Sequence, residues 1–203
     1  MKILNVQSSP NPVSVTRALS NELINQIKSQ KSDVNLIERD INQNPTPHLS
    51  GLSIHAAYTP VEARDENMKN ALKLSDELIK EIFESDLIII GAPMWNFSVP
   101  SVLKAWIDQI IRVGVTFQYT EKGPQGLIKG DKTVVIVSSR GGIYSSGPYA
   151  AFDHQESLLK GLFTFLGIEK IEVITSEGLR GQDVRVEAVA NAQEKISEIV
   201  AKL

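Results

Sequence analysis

With 21 basic and 24 acidic side chains over 203 residues, a formal net charge of −3, this chain lacks the basic surface that nucleic acid or an anionic membrane requires of a partner. It has no cysteine, which excludes disulfides, thiolate metal sites, iron–sulfur clusters and a cysteine nucleophile. A composition of 42% hydrophobic and 22% charged residues is that of one globular domain over 1–203, with room for a sizeable core.

Ile3 to Val6 reads as a short apolar strand, and the start Met-Lys-Ile-Leu-Asn-Val is too short and too quickly polar for a signal peptide. No apolar run approaches the ~20 residues of a membrane span. Both points, and the missing cysteines, predict a cytoplasmic protein. A polar loop, Ser8 to Thr16, leads into a helix from about Ser14 to Lys28 with Leu19, Leu23, Ile24 and Ile27 on one face. Ser14 is its natural N-cap. Val34 to Ile37 is a second strand. Residues 40–65 hold three prolines and little periodicity, a long connection of the kind that serves function or an interface. An amphipathic helix, Glu66 to Glu84, follows.

Leu87 to Ile90 is apolar without alternation and dominated by β-branched residues, as in a strand buried on both faces. Gly91 is expected to end it. Pro93 and Pro100 bracket a loop that neither a helix nor a central strand accommodates well. Val102, Leu103, Trp106, Ile107, Ile110 and Ile111 then mark a helix, with Trp106 in the core. Residues 114–130 read as a small hairpin or extended flap. Thr133 to Val137 is a buried strand that opens into Ser138–Tyr144. A helix over Tyr149–Phe165, a strand over Ile171–Ile174 and a helix over Val184–Val200 complete the chain. This alternation predicts an α/β fold, a flavodoxin-like doubly wound five-stranded parallel sheet in the order 2-1-3-4-5 with helices on both faces.

In such a sheet, ligands bind beyond the carboxyl ends of the strands, where the first, third and fourth strands lie side by side. Three loops should therefore converge. The first offers the hydroxyls of Ser8, Ser9, Ser14 and Thr16 at a helix N-terminus, suited to one terminal phosphate held by neutral donors. A capped helix after a polar turn would look the same. The second offers Trp95 and Phe97 beside Asn96, a flat apolar surface with an amide for a planar heterocycle. Core or subunit-interface packing is the competing explanation. The third has Gly141-Gly142, where a backbone can approach a ligand closely, with Arg140 as a cation. An ordinary turn is the alternative there.

Elsewhere His48, His55 and His154 lack zinc-site spacing, so no metal is expected. Arg180, Arg185, Glu187 and Glu194 read as solvated charge. There is no Gly-x-Gly-x-x-Gly and no Gly-x-Ser-x-Gly.

Ser8-Ser9 with Ser14-Val15-Thr16, Ala92-Pro93-Met94-Trp95-Asn96-Phe97, Gly114-Val115-Thr116-Phe117, Tyr119-Thr120-Glu121-Lys122-Gly123-Pro124 and Ser139-Arg140-Gly141-Gly142 together resemble the bacterial FMN-dependent NADH azoreductases, also described as NADH:quinone oxidoreductases. The resemblance spans essentially the whole chain. It implies a cytoplasmic homodimer with FMN, tightly but non-covalently bound, at sites on the subunit interface. It also implies a ping-pong oxidoreductase: NADH is the donor, and quinones and aromatic azo compounds are the acceptors. Residue by residue, it places the FMN phosphate and ribityl chain on Ser9, Ser14, Val15 and Thr16. The isoalloxazine falls along Met94, Trp95, Asn96 and Phe97, and its pyrimidine edge at Ser139, Arg140, Gly141 and Gly142. Phe117, Tyr119 and Tyr144 are candidates for the substrate walls. No side chain is needed as acid, base or nucleophile, because the flavin carries the chemistry.

Thr16 and Trp95 depart from the family's usual Ser and Tyr; Thr keeps the hydroxyl, and Trp keeps the flat face but changes the pocket shape. A phosphodiester hydrolase would share the first loop but needs a metal cluster or an activated nucleophile. An electron carrier of flavodoxin type would be smaller and strongly acidic.

Overall fold

The computed structural model describes residues Met1–Leu203. In chain order it contains β1 (Lys2–Gln7), α1 (Val15–Gln30), β2 (Asn35–Asp40), α2 (Gly51–Tyr58), α3 (Glu66–Glu84), β3 (Leu87–Pro93), α4 (Ser101–Ile110), β4 (Phe117–Thr120), β5 (Gly123–Gly126), β6 (Thr133–Ser139), α5 (Glu156–Phe165), β7 (Lys170–Ser176) and α6 (Gln182–Val200). Five strands pair in parallel in the order β2-β1-β3-β6-β7, the predicted 2-1-3-4-5 arrangement. The remaining two form the predicted hairpin, β4 antiparallel to β5.

Successive side chains of a strand face opposite sides of the sheet, and that alternation sorts the core into two layers. Ile3, Leu87, Ile89, Val135 and Val137 pack under α1 and α6. Leu4, Val6, Ile88, Ile90, Val134 and Ile136 pack under α3, α4 and α5, with Trp106 fully buried among them. All seven residues of β3 are buried, as expected of a central parallel strand.

Register positions the site. Gln7 pairs with Gly91, and Pro93 with Ser139, so β3 and β6 end together, two residues beyond the end of β1. The Ser8 N–H donates to the Gly91 carbonyl (3.1 Å) and the Met94 N–H to the Ser139 carbonyl (2.8 Å).

Gly91 does not end β3, which runs on to Pro93. Its role is room: a Cβ there would lie 2.3 Å from Gln7 Oε1. The buried Gln7 amide uses that space to reach Asn5 Oδ1 at 2.8 Å.

Two segments depart from the sequence-based expectation. The 40–65 connection contains α2, closed by a reciprocal cap: Ser50 Oγ accepts the Ser53 N–H (3.0 Å) and Ser53 Oγ accepts the Ser50 N–H (2.8 Å). Apolar residues all round α2 leave no helical stripe to detect. The second departure is the expected helix over 149–165, which is broken. A 3₁₀ turn covers Gly147–Phe152, and α5 starts at Glu156. Asp153 makes the break, accepting the N–H groups of Gln155 (3.0 Å) and Glu156 (3.2 Å) with its side chain.

Candidate functional site

The loop after β1 presents donors without acceptors. Ser14 caps α1, its Oγ taking the Arg17 N–H at 3.2 Å and lying 3.2 Å from the hydroxyl of buried Thr16. The N–H groups of Ser9, Val15 and Thr16 find no partner in the chain, although Ser9 is only 2% exposed. Unpaired buried N–H groups are rare, and those at a helix N-terminus sit in a field that favours an anion. The cation beside this loop, Arg17, is already engaged: it pairs with Asp40 (2.8 Å) and donates to the Ser9 carbonyl (2.6 Å). Burial by itself would raise the Asp40 carboxyl pKa. The Arg17 hydrogen bond, the N–H groups of Gln43 and Asn42 and the Arg17 charge outweigh it and hold the pKa below the usual carboxylate value.

The loop after β3 is a tight turn. Trp95 and Ser98 exchange both backbone hydrogen bonds (2.9 and 3.0 Å), and Asn96 and Phe97 adopt φ of 48° and 71°. Positive φ at both central positions is the mirror-image turn pattern. Asn tolerates it, whereas a Phe there stores about 1–3 kcal/mol of strain. The turn leaves the ring outside the core. Phe97 is 44% exposed and Trp95 52%, so neither fills the core of this chain. Phe97 instead meets Phe152 (ring centroids 5.3 Å apart) and, edge-on, Tyr144 (6.1 Å). Its carbonyl accepts the His154 N–H at 3.0 Å, which ties the 3₁₀ segment to this turn.

The loop after β6 is held from behind by its carbonyls. Those of Arg140, Gly141 and Gly142 accept the N–H groups of Leu179 (3.2 Å), Arg180 (3.2 Å) and Gly178 (3.0 Å). In a trans peptide the N–H points opposite the carbonyl. The N–H groups of Gly141, Gly142 and Ile143 therefore face away from the 178–180 turn, and none has an acceptor in the chain. Such a row of backbone donors suits an anionic edge. The second and third loops meet in one cavity of about 170 Å³, lined by Met94, Asn96 and Phe97, by Gly141, Gly142 and Tyr144, and by Arg180.

Two expectations need correction. Arg140 does not offer a cation to this cavity. Its side chain is 1% exposed and pairs inward with Asp153 (2.8 Å), Glu156 (3.3 Å) and Glu177 (3.8 Å), because a buried guanidinium requires compensating carboxylates. Its own N–H is also used, donating to Ser176 at 2.8 Å. Glu177 in turn accepts the N–H groups of Tyr144 (2.9 Å) and Ser145 (3.1 Å), so this buried cluster anchors the cavity wall. The cavity's cation is Arg180, exposed as the solvated charge expected from the sequence and also part of the cavity lining. It lies over Gly141, where a Cβ would come within 3.1 Å of its Nε, and it forms no ion pair. The available signal was its place just after the last strand, at the same edge of the sheet.

The second correction concerns Phe117 and Tyr119. Neither lines this cavity. Phe117 is buried against Phe165 (4.9 Å) and Tyr119 (5.5 Å). The hairpin is anchored where the strands begin: Ile128 N–H donates to the Leu166 carbonyl (3.0 Å), and a Cβ on Gly126 would meet the Leu166 backbone at 2.2 Å. Phe117 faces a separate apolar groove of about 250 Å³ shared with Ile54 and Tyr58 of α2. Tyr149 and Phe152, which the sequence reading passed over, complete the aromatic wall instead. Only the break before α5 reveals them.

A family model described as flavodoxin-like fold matches residues 1–200. An FMN-dependent NADH:quinone oxidoreductase of Herminiimonas arsenicoxydans is 41% identical over 201 residues, 98% of each chain. The chain belongs to the FMN-dependent NADH:quinone oxidoreductase family. A second relative in this family, from Idiomarina loihiensis, is 43% identical over 187 residues, 92% of each chain. An azoreductase from Bacillus anthracis str. Sterne superposes over 100% of both chains with a TM-score of 0.92 at 27% identity. The family's fold is the one derived above from strand order and register.

Proposed function

We propose that residues 1–203 form one FMN-binding domain that uses NADH to reduce quinones and to cleave aromatic azo compounds reductively. The names of the relatives and neighbours support this activity. One observation ties it to the geometry. Two sets of unsatisfied backbone donors lie at the ends of β1 and β6, the strands on either side of β3, one at a helix N-terminus and one beside an aromatic cavity. A phosphate joined to a flat ring with a polar edge satisfies both, so the residues present fit FMN.

Ser9, Ser14, Val15 and Thr16 would take the phosphate and ribityl chain through N–H and hydroxyl groups. Met94, Trp95, Asn96 and Phe97 would support the ring. Ser139 and the N–H groups of Gly141 and Gly142 would meet its pyrimidine edge, with the Arg180 guanidinium in the place expected for Arg140. When bound, the flavin supplies two-electron redox chemistry, oxidising NADH and then reducing the acceptor in alternation. The chain's own work is electrostatic and steric. Fixed N–H dipoles and Arg180 stabilise negative charge at the pyrimidine edge without reorganising. Phe97, Tyr144, Tyr149 and Phe152 form an apolar face on which a flat substrate can stack.

The active form is a cytoplasmic homodimer. Exposed Leu49, Leu52, Ile54 and Tyr58 around α2, beside the groove at Phe117, are apolar surface for a second copy. The hairpin bearing Tyr119, remote from its own cavity, is then free to serve the other subunit's site. No helix is long and apolar enough to cross a membrane.

The test is an absorption spectrum after mixing with FMN and desalting. Retained flavin bands, bleached by NADH and restored by a quinone, are expected. A colourless protein overturns the assignment.

A further inference from the structure

We propose that Arg17 and Asn42 are positioning residues for a phosphomonoester: they grip the phosphate loop by its carbonyls and so aim the Ser9 N–H at the N-terminus of α1. The proposal rests on the FMN assignment above and adds two residues to it, neither of which touches the ligand.

Asn42 Nδ2 donates to the Ser8 carbonyl at 2.7 Å. Because the Ser8–Ser9 peptide is trans, this tie fixes the Ser9 N–H on the opposite side. That N–H is buried and has no acceptor in the chain. Arg17 Nη2 donates to the next carbonyl, that of Ser9, at 2.6 Å. The following residue is Pro10, which has no N–H of its own, so this second tie sets the loop's direction without adding or removing a donor.

The two grips are one unit. Arg17 Nη1 pairs with Asp40 Oδ2 at 2.8 Å, and Asp40 Oδ1 accepts the N–H groups of Asn42 (3.0 Å) and Gln43 (3.1 Å). α1, the end of β1 and the end of β2 are thereby locked together behind the loop. The Asp40 partner also cancels the Arg17 charge, so attraction of the phosphate by that cation is not the residue's task. Its effect passes through the Ser9 peptide. A phosphate held this way is recognised by backbone dipoles in fixed directions, and loosening either grip loses the direction rather than the charge.

The discriminating experiment is parallel titration of the flavin-free protein with FMN and with riboflavin, which lacks the phosphate, read by quenching of flavin fluorescence. Arg17→Met and Asn42→Ala should each weaken FMN binding about tenfold, the scale of one hydrogen bond to a charged group, and leave riboflavin within about twofold. Arg17→Lys should recover part of the loss, since an ammonium can reach one of the two partners. Thermal melting of the flavin-free proteins reports whether each variant folds. Should Arg17→Met not fold, Asn42→Ala, on an open turn, carries the test alone. Equal losses for both flavins, or unchanged FMN binding in the variants, overturn the proposal while leaving the proposed function standing. A wild-type protein that binds neither flavin overturns both.

Discussion

The loops after β1 and after β6 do the same job by different means. Each points backbone N–H groups outward because its carbonyls are tied down behind. In the first loop side chains make the ties, Asn42 to Ser8 and Arg17 to Ser9. In the second the backbone of residues 178–180 makes them, to Arg140, Gly141 and Gly142. Ties made by side chains depend on residue identity and yield to single substitutions. Backbone ties do not, and the second loop can be disturbed only through what holds the 178–180 turn and the cavity wall in place. That holder is the buried Arg140 cluster.

The largest predicted effect breaks this second support. Arg140→Ala leaves Asp153, Glu156 and Glu177 without their shared cation, and loss of one partner from a buried ion cluster costs about 3 kcal/mol. A marked fall in the melting temperature is expected, together with loss of FMN. An unchanged melting temperature would mean that the backbone ties hold the loop alone.

A smaller effect sharpens the comparison at the crevice. Arg180→Met removes the free cation but keeps its backbone bond to Gly141. Loss of an exposed charge contact of about 1 kcal/mol lowers the two-electron potential of the bound flavin by about 20 mV. FMN affinity should change little. Spectroelectrochemical titration reads this directly, and an unchanged potential would remove Arg180 from the pyrimidine edge.

The smallest effect concerns the side-chain-held loop and depends on pH. The Asp40 pKa is lower in the folded chain than its ordinary value. Its contribution to stability is therefore complete above the unfolded carboxyl pKa of ~3.9 and disappears as pH falls through the folded value. Asp40→Asn should melt below wild type at neutral pH, and the two curves should converge in acid. A gap that persists at the acid end would show that Asp40 acts through packing rather than its charge.

Strand order, the two-layer core and the meeting of the second and third loops were legible because they follow from local pattern. A short apolar run rich in β-branched residues such as Leu87–Ile90 reads as a strand buried on both faces, and alternation with helices leaves few topologies. The Ser14 cap was legible for the same reason, since Ser14 and Arg17 are three residues apart. α2 escaped notice because it lacks a polar face, and the break before α5 because Asp153 looks like any helical residue until Arg140 draws its carboxylate inward. The hairpin's address escaped too, since only its packing on Leu166 shows which end of the sheet it occupies.

The sequence by itself determined the fold and the facing of the loops after β3 and β6, since hydrophobic period and turn chemistry act between near neighbours. Only the tertiary structure decided which arginine is buried and which is free. Arg140 and Arg180 are chemically alike and both follow a strand. Their roles part through carboxylates 13–37 residues away from Arg140 in the chain, which surround one guanidinium and leave the other unpaired.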